Sequence, residues 1–298
     1  DLSESETRMQ KGRFRHLENL VPLGLRSLQR KPGSTVVVNQ SPIIQVVDNL
    51  GNPVTDNADN PVVISSGITP IGLRIVKLHT FVRVGFPTEL LAIVQVNTTT
   101  FNLVRLNVNS WTVIGSWTLP NTTTRHDTAT WQGKVIITTG QTINGSSSTP
   151  LVYDGSTVTA FTGTNMPVRP QYVTVYQERV ILAGGPDNRH RVWFSDPLVS
   201  NFQATSFHNV RVGSGGEVSG LGVNSITTSD QGAQNQLAIL KTDAVATIFG
   251  ELASGNEILT VRSIKVGCPS HKTIVNSPFG LIFTGNDSVY ILDQGGGE

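Results

Sequence analysis

The adjacent residues His126 and Asp127 are the pair in this sequence most similar to a catalytic dyad. A histidine that a carboxylate orients can act as a general base. The pair lies in a region of strand-like alternation, however, and neighbouring residues on a strand point to opposite faces. We therefore expect the two side chains to diverge and to form no dyad.

Established catalytic patterns are absent from the rest of the sequence. It has no Walker-type phosphate loop and no H-E-x-x-H, C-x-x-C or G-x-S-x-G motif. Four further histidines occur singly and are expected to be structural: His79, His190, His208 and His271. The prediction is a protein that is not an enzyme and has no catalytic, cofactor-binding or metal-binding residues.

Two other features could suggest chemistry, and each has a simpler interpretation. Gly213-Ser214-Gly215-Gly216 is glycine-rich, but a strand follows it, whereas a phosphate site would need a helix N-terminus. We interpret it as a hairpin connection. The single cysteine, Cys268, has no partner motif and is expected to be a small buried side chain.

The composition favours a β-rich, turn-rich protein. Charged residues make up 14 % of the 298 residues, well below the roughly 25 % that is usual for soluble domains. The net charge of +1 argues against a protein that coats nucleic acid. No apolar run approaches the roughly 18 residues of a membrane helix, so no membrane-spanning segment is predicted.

The stretch Tyr172–Pro197 shows which elements must position any site. Its sequence, YVTVYQERVILAGGPDNRHRVWFSDP, contains three apolar runs, and the first two alternate at period two. Gln177-Glu178 forms a tight connection between the first two runs, and glycine and proline end the second. These features predict a three-stranded antiparallel meander.

The meander recurs along the chain. The polar turn after its first strand is found again at Pro87-Thr88-Glu89 and at Gln132-Gly133, so three copies step by 45 residues (87 to 132 to 177). A period of about 40–50 residues with three or four strands per unit is typical of propeller blades. The fold prediction is therefore all-β: a β-propeller of four-stranded antiparallel blades, with about five blade signals here and six or more in a longer protein.

The propeller is expected to occupy residues 34–298 and to be truncated at its C-terminus, because the last blade ends without a fourth strand. Two explanations remain open at this point. Either polypeptide is missing, or residues 35–47, which contain two strand-like runs, complete a blade.

Residues 1–33 differ from the rest and are predicted to form an N-terminal arm. Seven basic residues and one acid, Glu18, lie between positions 8 and 31, mixed with apolar side chains. One interpretation is a solvated, extended tail; the other is an arm that docks on a neighbouring subunit. The candidate contact residues are Arg8, Lys11, Arg13, Phe14, Arg15, Arg26, Arg30 and Lys31.

Three stretches resemble successive blades of β-propeller proteins from bacteriophage virions, in particular tail hub, nozzle and DNA-stabilising proteins of short-tailed phages. They are ERVILAGGPDNRHRVWFSDP (Glu178–Pro197), LAILKTDAVATIFG (Leu237–Gly250) and GCPSHKTIVNSPFGLIFTGNDSVYILDQGG (Gly267–Gly296). The start NLVPLGLRSLQRKPGS (Asn19–Ser34) is also similar to such chains. The resemblance covers roughly residues 13–296 and brings no catalytic residues with it.

The resemblance implies a virion structural protein of a phage tail, assembled in the host cytoplasm. As a nozzle, hub or head-to-tail closure component, it would form a homo-oligomeric ring around the DNA exit channel. Its partners would be neighbouring tail, portal or adaptor proteins, and genomic DNA would pass without sequence-specific binding. The alternative is a propeller binding module or adhesin that recognises a glycan or a protein on the host surface.

Overall fold

The structure is a computed structural model. It describes residues 74–293 apart from positions 108–109, 122–124, 187, 214–215, 229–231, 253–256 and 278–279, together with the backbone of five short strands earlier in the chain. Contacts divide the chain into two compact units, residues 1–71 with 106–112 and residues 72–105 with 113–298. The expected boundary after residue 33 lies outside the described residues and stays a prediction.

The first unit contains the five short strands in two sheets. Strands β1 (Leu20–Pro22) and β2 (Leu28–Arg30) pair with each other. Strands β3 (Thr35–Val37), β4 (Ile43–Val47) and β5 (Val63–Ser65) form a separate antiparallel sheet. The suggestion that residues 35–47 complete a blade is therefore wrong. Pairing β3 with β4 closes only a short loop, which costs less entropy than pairing with a strand more than 200 residues away.

Five further sheets follow in chain order, and their strands lie in the second unit, except for residues 106–112 of the first of these sheets. Those of the first are β6 (Arg74–Phe81), β7 (Glu89–Gln95), β8 (Thr100–Asn107) and β9 (Ser110–Thr118). Those of the second are β10 (Asp127–Trp131), β11 (Lys134–Thr138), β12 (Leu151–Tyr153) and β13 (Val158–Ala160). Those of the third are β14 (Tyr172–Tyr176), β15 (Arg179–Gly185), β16 (Asn188–Ser195) and β17 (Phe202–Asn209).

The fourth sheet consists of β18 (Val218–Thr228), β19 (Gly232–Lys241), β20 (Val245–Phe249) and β21 (Ile258–Ser263). A short 3-10 turn, His271–Thr273, leads into the fifth, which consists of β22 (Val275–Ser277), β23 (Gly280–Thr284) and β24 (Val289–Asp293). Within each sheet the strands are hydrogen-bonded in sequence order. The five sheets are consecutive blades, and the prediction of an all-β propeller is confirmed; three strands of the fifth blade are described.

Two details of the third and fourth blades differ from expectation. The apolar residues of Phe207–Val212 predict the fourth strand of blade 3 there, whereas the structure places it at Phe202–Asn209. The glycine-rich segment from Gly213 to Gly216 joins β17 to β18, which belong to different sheets, so its interpretation as a hairpin connection is wrong. Turn residues alone do not distinguish a link within a blade from a link between blades.

Apolar cores fill the spaces between consecutive blades. The core between blades 1 and 2 contains Phe81, Leu91, Tyr153 and neighbouring aliphatic residues. Similar buried clusters join blade 2 to 3, 3 to 4, and 4 to 5, and Cys268 is fully buried in the last of them, as expected. Successive side chains of a strand point to opposite faces, so the continuous buried runs of β11 and β15 supply both faces of their blades with apolar side chains.

A buried aromatic residue ends the first strand in three blades and contacts the blade that follows. In blade 1 this is Phe81, whose ring centroid lies 5.7 Å from that of Tyr153. In blade 2 the indole N–H of Trp131 donates to the carbonyl oxygen of Glu178 at 2.9 Å. In blade 3 the Tyr176 hydroxyl donates to the carbonyl oxygen of Asn235, also at 2.9 Å. Each aromatic thereby fixes one blade against the next.

Candidate functional site

The predicted contact arm precedes the part of the chain that is described with its side chains. Most of its candidate residues lie outside the described residues, namely Arg8, Lys11, Arg13, Phe14, Arg15, Arg26 and Lys31. Arg30 is the last residue of β2, for which only the backbone is described. The arm stays a prediction.

The structure instead shows a cavity at the centre of the propeller, lined by residues of all five blades. Its volume is about 370 Å³, and the first strands of blades 1 to 4 together with the 3-10 turn and first strand of blade 5 line it. The polar side chains of this central cavity are those of Lys77, Asp127, Thr128, Thr130, Thr174, His271 and Asn276. Because every blade contributes to it, this cavity is the candidate functional site.

Asp127 connects the first three blades. Its Oδ1 accepts hydrogen bonds from the Lys77 ammonium group and from its neighbour's backbone, Thr128 N–H, both at 2.9 Å. Its Oδ2 accepts from the backbone N–H of Val173 at 3.2 Å. The side chains of Lys77 and Asp127 are 25 % and 11 % exposed, so the ion pair is partly shielded from water, and its two charges cancel inside the cavity.

His79 lies beside this pair and bonds to two threonines on the neighbouring strand. Its Nδ1 is 3.1 Å from the Thr128 hydroxyl, and its Nε2 is 2.8 Å from the Thr130 hydroxyl. Burial, and secondarily the charge of Lys77, lower the pKa of His79 from 6.5 to about 4, although Asp127 opposes this shift. The imidazole is therefore neutral at pH 7, with one ring nitrogen as donor and the other as acceptor.

His126 points away from Asp127, as the alternation predicted. Its ring is fully buried, with its centroid 4.8 Å from that of Phe101 and 5.8 Å from that of Trp117. Burial is the largest cause that lowers its pKa to about 3, and the charges of Lys272 and His271 add to it. A general base of this kind would have no carboxylate partner, so the pair is not a catalytic dyad.

Charged groups join three blades next to the starts of their first strands. The Arg125 guanidinium donates to the Tyr172 hydroxyl at 3.1 Å and to Glu217 Oε1 at 3.4 Å. Arg189 forms a second ion pair with Glu217, at 3.3 Å. Burial raises the pKa of Tyr172, so its hydroxyl stays protonated and accepts from Arg125. This cluster contributes to the contacts between blades 2, 3 and 4.

The sequence interpretation missed the convergence of Lys77, His79 and Asp127. A signal existed, because Lys77 and His79 on β6, and Thr128 and Thr130 on β10, are polar residues two positions apart and so share one strand face. That face could be assigned to a shared cavity only with the order of the blades known. Among the described residues no group of three or more histidine, cysteine, aspartate or glutamate side chains could hold a metal ion.

Neither a protein-family profile nor a curated protein sequence matches this chain. Among solved structures, YCF48 bound to a D1 peptide is similar in fold, with 14 % identity, a TM-score of 0.39 and coverage of 70 % of this chain and 73 % of that chain. PorZ, a bacterial surface component of the type-IX secretion system of Porphyromonas gingivalis, is 12 % identical with a TM-score of 0.28. That match covers 84 % of this chain but only 34 % of PorZ. Such distant similarities do not identify a ligand or partner.

A search of the described residues for a helix that is long and apolar enough to span a membrane finds none.

Proposed function

We propose that this protein is a structural component of a bacteriophage tail, in which several copies form a ring around the DNA exit channel. One observation carries the proposal: the stretches that resemble phage propeller proteins occupy equivalent places in successive blades. Glu178–Pro197 covers β15 and β16, and Leu237–Gly250 covers the end of β19 and all of β20. Gly267–Gly296 spans the strands of blade 5. The resemblance thus follows the architecture, not an isolated motif.

Exposed apolar residues support a role in assembly. The turn after β6 exposes Val82, Val84 and Phe86, and the turn after β16 exposes Leu198 and Val199. Large apolar side chains grouped on a surface often mark a protein–protein interface. A second copy of the chain, or an adjoining tail protein, would cover these turns in the ring.

The size of the central cavity determines where DNA would pass. A cavity of about 370 Å³ is far too small for a DNA duplex, and the Lys77–Asp127 ion pair lies within it. DNA would therefore pass along the axis of a ring of propellers, outside any single one. Such a conduit should bind DNA weakly, because each phosphate that is neutralised adds affinity.

The N-terminal arm would hold the ring together and contact neighbouring portal or adaptor proteins in the virion. The direct test is the mass distribution of the purified protein by mass photometry, before and after arginines and lysine of the arm are replaced (Arg8→Ser, Lys11→Ser, Arg13→Ser). A matched variant replaces exposed basic residues of the propeller (Lys134→Ser, Arg211→Ser, Lys265→Ser). We expect a closed oligomer that only the arm variant dissociates. A monomer at every concentration would contradict the proposal.

A second candidate function is a binding module that recognises a glycan or protein. The central cavity favours it, because polar side chains from four of the five blades converge there. This candidate is independent of the ring.

A further inference from the structure

Unused hydrogen-bonding groups face the central cavity. On β14, Thr174 lines the cavity together with its neighbours Val173 and Val175, which also pack into the core between blades 2 and 3. Within the described part of the chain, no hydrogen-bond partner is found for the side chains of Thr174 and Asn276. Hydroxyl and amide groups that open into a cavity can bind a polar ligand.

The lysine adds further donors. An ammonium group has three N–H bonds, and Asp127 accepts one of those of Lys77. In the described structure Lys77 has no other hydrogen-bond acceptor, so two N–H bonds remain for a ligand. Asp127 already accepts three hydrogen bonds and serves to position the lysine.

The charge of the cavity selects the ligand class. Lys77 and Asp127 cancel each other, and the other lining residues are neutral at pH 7. Such a lining gives no net attraction to an anion or a cation. Its hydroxyl, amide and ammonium groups instead match the oxygen atoms of a neutral polyhydroxylated molecule. Leu221 and Ile274 supply apolar surface for the C–H groups of such a molecule.

We propose that the central cavity binds a neutral, polyhydroxylated ligand the size of one sugar ring. The volume of about 370 Å³ is at the lower end of the roughly 300–1,000 Å³ range of small-molecule sites. Thr174, Asn276 and Lys77 would contact the ligand hydroxyls. This inference deepens the second candidate function and does not depend on the phage-tail proposal.

The test is saturation-transfer difference NMR on the full chain, with glucose, galactose and N-acetylglucosamine as separate probes at millimolar concentration. Glucose 6-phosphate and glucuronate are the anionic comparisons. We expect at least one neutral sugar to bind and to bind more tightly than its anionic relatives. Thr174→Val should weaken that binding about 3- to 10-fold, the effect of one lost hydrogen bond.

The matched control is Thr205→Val, the same substitution at an exposed position on β17, which should leave binding unchanged. Asn276→Ala, at an exposed position, provides a second variant of the central cavity if Thr174→Val is poorly folded. The inference is overturned if no neutral sugar binds or if an anionic probe binds more tightly. It is also overturned if Thr174→Val and Asn276→Ala both bind the sugar like the unmodified protein. Because ring assembly is measured separately, either proposal can fail alone.

Discussion

Gln132 donates a hydrogen bond from its side-chain amide to the carbonyl oxygen of Leu198, at 2.7 Å. The donor lies in the first turn of blade 2, and the acceptor lies between the third and fourth strands of blade 3. Blade 3 repeats the arrangement one blade later. There Gln177 donates to the Gly250 carbonyl oxygen at 2.8 Å and accepts from the Leu252 N–H at 3.0 Å. A glutamine in the first turn thus connects each of these blades to the next.

We expect Gln177→Ala to lower the free energy of unfolding by about 1 kcal/mol, because it removes two hydrogen bonds of which one is largely exposed. Gln177 has a positive φ of 50°, and alanine adopts that backbone conformation no more easily than glutamine. The loss should therefore come from the contacts between blades. Urea unfolding followed by tryptophan fluorescence measures it.

The exposed Thr205→Ala on β17 is the control for Gln177→Ala and should change stability by less than about 0.5 kcal/mol. If the two variants were equally stable, the glutamine contact would have no role in joining the blades.

The Lys77–Asp127 ion pair should stabilise the centre of the propeller. Asp127→Ala removes the acceptor of three hydrogen bonds and should cost about 3 kcal/mol. Lys77→Met should cost less, because its side chain is more exposed. A double-mutant cycle should give a coupling energy of about 1 kcal/mol. If the two substitutions change the free energy of unfolding in a strictly additive way, the ion pair contributes nothing to stability.

The stability of the protein should fall as the pH is lowered below the ordinary histidine pKa. The folded state holds His126 at a pKa of about 3, compared with 6.5 in the unfolded chain. Between these values the unfolded state binds more protons, so acid favours unfolding and the stabilisation is complete only above pH 6.5. The slope is up to about 1.4 kcal/mol per pH unit for one such histidine.

The matched variant is His126→Phe, which keeps an aromatic ring beside Phe101 and Trp117 but cannot titrate. Between about pH 7.5 and about pH 5.5, it should lose about 1.4 kcal/mol less stability than the unmodified protein. Urea unfolding at each pH provides the comparison. Parallel pH dependences would mean that His126 is accessible to protons in the folded protein.

Lys241 should be among the residues whose loss destabilises the fold most. It is fully buried, and its ammonium group donates to the carbonyl oxygens of Val210 and Val212, at 3.1 and 2.6 Å. Lys241→Ala should lower the free energy of unfolding by about 3 kcal/mol, because two charge-assisted hydrogen bonds are lost. Lys265→Ala, at an exposed position, is the matched control. Equal stabilities of the two variants would contradict this role.

Local patterns were sufficient to predict the propeller class. Alternating apolar residues placed strands such as β14 and β15, and polar turns such as Gln132-Gly133 set the spacing of blades. Apolar alternation does not indicate the full length of the hairpin formed by β18 and β19, because its outer part is polar. Asn224 and Gln236 pair across it and are almost completely buried. The hydropathy of these two polar residues does not indicate that they are buried.

The central cavity could not be predicted from local patterns. It depends on contacts such as Lys77 to Asp127, which join strands 50 positions apart. The burial of Lys241 likewise depends on carbonyl groups at the end of the preceding blade. From the sequence alone, Lys77, Asp127 and Lys241 are charged residues in or near strands, and nothing local identifies their partners.

The proposed function would be tested most directly by cryo-electron microscopy of the phage particle in which the proposal places this protein. We predict propellers repeated around the tail axis below the portal, with residues 8–31 of each copy packed on an adjoining protein and few basic side chains facing the DNA. A particle without propeller density around the axis, or an arm whose arginines all contact DNA, would contradict the proposal.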